Sequence, residues 1–333
     1  DIADIAGVKT VETRIVKNVT LDIPGLSEPA SGRLISLPET REQTLNVLHL
    51  RQGRLLAPGR PDEVLVNEAF ALANEFKPGN TFAAIINGHK RTLTIVGVVL
   101  SPEYVYALGP GALMPDDQRF GIIWMEEKAL EAAFDLGGSF TEASMTLERG
   151  VDASEVIAAL DRMTEKFGGI RAYAQKDQIS NWFVTNEINQ LRAMGNVAPP
   201  LFLGIAAFLL HIVASRLVET ERQQIGLLKA FGYSDGNVAW LYIKLVLIIV
   251  IFGIVTGLAF GTWLGRGMTE LYTEYFRFPF LYYIIDGSIY ITATLISITV
   301  GLAGALTSVW RAQRLMPAVA MTPPPPTSYQ TFW

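Results

Sequence analysis

The sequence predicts two unlike parts: an α+β extracytoplasmic domain, then an all-α region of three transmembrane helices. Three observations lead there. First, three stretches without Asp, Glu, Lys or Arg, Ala193–Ser215, Leu245–Gly265 and Gly287–Trp310, fall late in the chain. Each reaches the ~20 residues with which an apolar helix crosses a hydrocarbon core, and a helix satisfies its own backbone there. Second, residues 1–192 hold most of the charge and mix alternating β-branched runs with helical periodicity. Third, Lys and Arg are unequally shared among the segments that flank the spans.

Strands are predicted at Lys9–Leu21, Arg33–Leu37, Glu63–Asn67, Thr81–Ile86, Arg91–Leu100 and Glu142–Leu147, with a hairpin turn at Asn87-Gly88. Helical periodicity covers Glu68–Phe76, Glu127–Phe134 and Ser154–Phe167, the last capped by Asp152 or Ser154. Glu126-Glu127 opens the second of these, where a negative charge complements the helix dipole. The order suits a βαβ lobe, built from the first ~35 residues and Glu142–Ala174, with a β-rich lobe inserted into it. Residues 1–178 form this domain. Residues 179–196 form a stalk helix, with Ile179–Met194 running into the first span. Residues 197–320 form the transmembrane domain, with spans at about 197–218, 238–263 and 287–310, and residues 321–333 a Pro-rich linker.

The link between the first two spans holds Arg216, Arg222, Lys229 and Lys244, and Arg311 and Arg314 follow the third. The other loop sets Glu270, Glu274 and Asp286 against Arg266 and Arg277. The positive-inside rule puts the first link and the C-terminal tail in the cytoplasm, and the N-terminal domain outside a multi-pass cell membrane. Tyr272, Tyr275, Phe276, Phe278, Phe280, Tyr282 and Tyr283 crowd the outer loop, as an interfacial belt or as packing against the outer domain. Gly253, Gly257, Gly261 and Gly265 line one face of the second span, a helix-packing stripe. His211 reads as a snorkelling or hydrogen-bonded group at the cytoplasmic end of the first.

Chemistry is sparse. There is no cysteine, no G-x-x-x-x-G-K-[ST] and no H-E-x-x-H, and His49, His89 and His211 lie scattered. Neither a catalytic set, a metal site nor a cofactor site is predicted, and a net charge of −5 without a basic run implies no nucleic acid. Asp116-Asp117 reads as a solvated loop, with a cation site as the alternative. Tyr104 and Tyr106 read as packing within the domain, with a lipid-like ligand as the alternative.

The strongest local signal is Glu221-Arg222-Gln223-Gln224-Ile225-Gly226-Leu227-Leu228-Lys229-Ala230-Phe231-Gly232-Tyr233-Ser234. Ile225, Leu227, Leu228 and Phe231 fall on one broad arc, with Arg222 and Lys229 opposite. Gly232 suits a left-handed stop, and Ser234 the cap of the next helix. A short amphipathic helix results, which lies in the membrane interface or docks on a protein.

The stretch from Glu221 to Ser234 resembles the signature of FtsX-like, MacB-type ABC transporter permeases, with Gln224 where that family has Glu. Arg311-Ala312, Arg314-Leu315, Pro317-Ala318 and Ala320-Met321 are similar to the element that ends the family's permease domain, with Thr322 in place of a frequent Arg. Gly53-Arg54, Glu63–Ala71, Lys77–Thr81 and Val96–Val98 are similar to its MacB-like periplasmic core domain. The resemblance implies a permease that moves a lipid, lipoprotein, peptide or drug by mechanical transmission, without catalysis of its own. It implies a cytoplasmic ABC ATPase dimer that binds ATP and Mg, and contacts the coupling helix through Glu221, Arg222, Gln224, Ile225, Leu228, Lys229, Phe231 and Gly232. It also implies a second permease half or copy and contact with membrane lipid. The alternative within the family is a signalling complex that controls a cell-wall hydrolase or senses antimicrobial peptides. With its Pro-rich tail, the chain resembles the first half of a long permease that lacks its first helix.

Overall fold

The computed structural model describes residues 2–39, 43–314 and 316. The Pro-rich segment 321–333 and most of the element after Arg314 lie outside them. The strands are β1 (Val8–Arg14), β2 (Val16–Asp22), β3 (Ala30–Leu37), β4 (His49–Gly53), β5 (Glu63–Asn67), β6 (Thr81–Ile86), β7 (His89–Leu100), β8 (Phe120–Glu126) and β9 (Glu142–Leu147). The helices are α1 (Glu68–Ala73), α2 (Glu127–Phe134), α3 (Ala153–Thr164), α4 (Ile179–Thr220), α5 (Arg222–Ala230), α6 (Asp235–Tyr275) and α7 (Gly287–Arg314). The chain divides into two units, Asp1–Asn189 with Glu270–Leu281, and Gln190–Thr269 with Tyr282–Trp333.

In the first unit, seven strands run in the order β4-β7-β5-β8-β3-β2-β6. The sheet closes, because β6 pairs with β2 and also with residues 89–94 of β7. Six strands therefore form a ring, and β4 pairs with the far part of β7 at residues 97–100. Closure leaves the ring strands without free edges. The alternation of β2 and β6 turns Val19, Leu21, Phe82, Ala84 and Ile86 to one side, where they meet Leu34, Val64, Ile123 and Phe70 of α1. Leu130 of α2 joins the same core. Ile35, Leu65, Phe120, Ile122 and Trp124 pack on the other side. Both faces of β8 are thus covered, and all seven of its residues are buried. Gly53 ends β4 at φ +81, and a Cβ there would strike the Val96 carbonyl oxygen; the turn admits only glycine.

A small lobe pairs β1 with β9 and packs α3 on them through Val156 and Leu160. Asp152 Oδ1 accepts the Ser154 N–H at 2.9 Å, capping α3 as the sequence predicts. The lobe is narrower than the predicted βαβ unit. The run Lys9–Leu21 breaks at Ile15, which is buried; its N–H donates to Ser36 Oγ at 2.8 Å and its carbonyl accepts the Ser36 N–H. These bonds turn the chain, so β1 stays in the small lobe while β2 and β3 enter the ring.

Arg14, beside that break, donates to both carboxylate oxygens of Glu103 and to Glu142. Burial works against the guanidinium charge, but the Glu103 hydrogen bond and the two carboxylate charges outweigh it, and its pKa is raised. Tyr104 packs edge-on against Trp124. Tyr106 lies against Phe183 of α4 and Phe276, which stacks on Tyr272 and Phe278. The Arg277 N–H donates to the Val105 carbonyl, and the Tyr272 hydroxyl to Glu187. Tyr272, Phe276 and Phe278 of the predicted belt therefore pack inside this unit, whereas Tyr275, Phe280 and Tyr282 are exposed.

In the second unit, α4, α6 and α7 are long and apolar enough to cross a membrane, and they are the three such helices among the described residues. Ala214, Val246 and Ala305 form their shared core.

Candidate functional site

The connection between α4 and α6 carries the predicted coupling helix. α5 stops at Gly232, whose φ of +92 lies in the left-handed region. The N–H groups of Gly232 and Tyr233 donate back to the carbonyls of Lys229 and Leu228. Ser234 Oγ accepts the Asn237 N–H at 3.3 Å and caps α6, whose first residue, Asp235, suits the positive end of the dipole.

Inward, Ile225 packs with Val218 of α4, Val238, Ala239 and Tyr242 of α6, and Val309 and Ala312 of α7. The short helix is thus seated through Ile225 in a cluster that draws on all three long ones. Outward, Gln223, Gln224, Leu227, Ala230, Phe231 and Tyr233 are exposed, Phe231 to 76%. Three large apolar side chains, Leu227, Phe231 and Tyr233, stand close together in sequence on this surface.

The predicted contact set divides accordingly. Gln224, Phe231 and Gly232 are exposed, Glu221, Arg222, Leu228 and Lys229 are half-buried, and Ile225 lies in the core. The Lys229 ammonium donates to the Gln313 carbonyl at 2.6 Å and pairs with Asp235 at 2.8 Å, and its side chain is only 7% exposed. Leu227 and Tyr233, outside the predicted set, share this exposed surface. For Leu227 the signal was present: α5 has more apolar residues than one buried face can take, so some must point outward.

The predicted glycine stripe also divides. A Cβ added at Gly253, Gly257 or Gly261 would meet nothing within 4 Å, and at Gly265 it would meet the Tyr283 side chain. The close approach of backbones is at Gly304 of α7, where a Cβ would lie 2.7 Å from the Ala207 carbonyl oxygen of α4. Beside it run the hydrogen bonds Ser215 to Ser308, 2.7 Å, and Thr307 to His211 Nδ1, 2.9 Å. His211 is thus a hydrogen-bonded residue of a helix seam. Among the described residues, no three His, Cys, Asp or Glu side chains group as metal ligands.

The model of the FtsX-like permease C-terminal domain matches residues 196–317. Residues 196–317 are thus similar to an FtsX-like permease domain. Permeases of this ABC transporter type are membrane subunits, generally non-catalytic, that work with a cytoplasmic ABC ATPase. The extracellular domain of the noncanonic ABC-type transporter YknZ from Gram-positive bacteria is similar at 15% identity, TM-score 0.33, over 51% of this chain and 82% of that one. The periplasmic region of MacB from Actinobacillus actinomycetemcomitans is similar at 18% identity, TM-score 0.31, over 51% of this chain and 72% of that one. No curated protein matches the chain. The matched stretch contains α5, α6 and α7 whole, and with them the entire site described above.

Proposed function

We propose that the chain is a permease subunit in which a partner ATPase docks on the outward face of α5 and drives the transmembrane helices. The observation that carries the reading is the exposed set Leu227, Phe231 and Tyr233 on a helix whose other face is held by α4, α6 and α7. An apolar surface beside polar Gln223 and Gln224 fits a protein contact better than solvent. The Lys and Arg distribution supports a cytoplasmic position for α5 and an outer one for the β-ring unit. Displacement of α5 passes to the long helices through Ile225 and the core around it. α4 and α6 both continue into the first unit by chain connection, and the segment Glu270–Leu281 folds within that unit. This supports extrusion or extraction of a hydrophobic substrate by mechanical transmission. The ATP and Mg chemistry resides in the partner.

The test replaces Leu227 and Phe231 with Glu in the full chain, co-expressed with its partner ABC ATPase. We expect the permease to reach the membrane and to lose most of the co-purifying ATPase, because charges in an interface core cost several kcal/mol. Undiminished co-purification would refute docking at this face.

A further inference from the structure

We propose that Lys229 is a positioning residue, a clasp through which movement of α5 is delivered to the ends of α6 and α7. Lys229 lies in the last turn of α5, Asp235 is the first residue of α6, and Gln313 is the second-last residue of α7. One ammonium joins all three, at 2.6 Å to the Gln313 carbonyl and 2.8 Å to Asp235. The last carbonyls of a helix have no partner inside it and carry the negative end of its dipole, so a cation there is doubly favoured. The cations of α7's own last turn are occupied elsewhere: Arg311 pairs with Glu219 and Arg314 lies over the Trp310 ring. The bond to Gln313 is therefore made from another helix. Its directionality matters. Apolar contacts such as those of Ile225 tolerate sliding, whereas a short charge-assisted hydrogen bond fixes distance and angle. Lys229 thus converts a soft contact into a registered one.

This role rests on the proposed docking only in its functional part, so the experiment has two arms. The chain has no cysteine, so Cys pairs introduced at Gln223 and Leu306 are its sole label sites. In the first arm, spin-label distances are measured on the full chain in lipid nanodiscs. The parent should give one narrow α5–α7 distance. Lys229→Met, which keeps the stem and loses the donors, should broaden it, and Lys229→Arg should restore much of the narrowness. An unbroadened distribution in Lys229→Met, or equal broadening in both variants, overturns the clasp.

In the second arm, the co-purified ATPase is assayed for ATP hydrolysis. Lys229→Met should leave co-purification and the KM for ATP unchanged while kcat falls about tenfold, the scale of one charge-assisted hydrogen bond. Lost co-purification would make Lys229 a contact residue, and an unchanged kcat would make it a structural tie; either overturns the positioning role. If the Leu227 and Phe231 variants keep their ATPase, docking on α5 fails while the distance arm still decides the clasp.

Discussion

Replacing Arg14 with Met should uncouple the small lobe from the β-ring without unfolding the ring. The guanidinium is 12% exposed and holds Glu103, 14% exposed, through two parallel bonds, one of 2.6 Å. It also holds Glu142, which is 38% exposed. Removing one partner of a buried pair costs ~3–5 kcal/mol, because the other charge is left stranded. The Glu142 arm is screened and is worth at most ~1 kcal/mol. Glu103 keeps a 2.9 Å bond from Asn46 Nδ2, which offsets part of the loss. The net cost is about 3 kcal/mol, or roughly a hundredfold in the opening equilibrium. Hydrogen–deuterium exchange on the full chain in nanodiscs reads it directly. Amides of β1 and β9 should exchange about a hundredfold faster, with those of β5 and β8 unchanged. Adding Glu103→Leu should recover most of the protection, since replacing both partners by apolar groups costs little. Protection of β1 within about twofold of the parent would refute the reasoning, because a stranded buried carboxylate cannot be that cheap.

Glu126 is buried, accepts the Gly59 N–H at 2.6 Å and hydrogen-bonds with Glu39; burial first, and that bond second, raise its pKa. The unfolded chain then loses this proton first, so the stability it contributes is full below about pH 4.3 and declines as pH rises through the folded value. Glu126→Gln should match the parent's melting temperature near pH 4 and exceed it at pH 8; equal values at pH 8 would contradict the assignment. Gly304→Val should cost at least ~1–3 kcal/mol by forcing α7 from the Ala207 carbonyl, whereas Gly257→Val should leave the melting temperature of the isolated chain unchanged. Equal effects of the two on thermal denaturation would show that α4 and α7 do not meet at Gly304.

Features set by neighbours along the chain could be read from the sequence. The three spans were legible because length and the lack of charge suffice for a bilayer. Strands β5, β6 and β9 and helix α2 were legible because period and turn residues are local, as were the stop at Gly232 and the cap at Ser234. β8 was missed because it is apolar on both faces, as a covered central strand must be, and so shows no alternation. β4 escaped because most of its residues are exposed. The continuous run Lys9–Leu21 contains no Gly or Pro, and what divides it is Ser36 and Glu103, far along the chain. Lys229 looked like a surface cation until folding brought the Gln313 carbonyl to it. The sequence by itself determined which segments are long and apolar enough to enter lipid and where local structure starts and stops, since those depend on composition and on residues a few positions apart. Only the tertiary structure decided that the sheet closes on itself, which face of α5 is buried and which charges find partners, because each depends on groups brought together from distant parts of the chain.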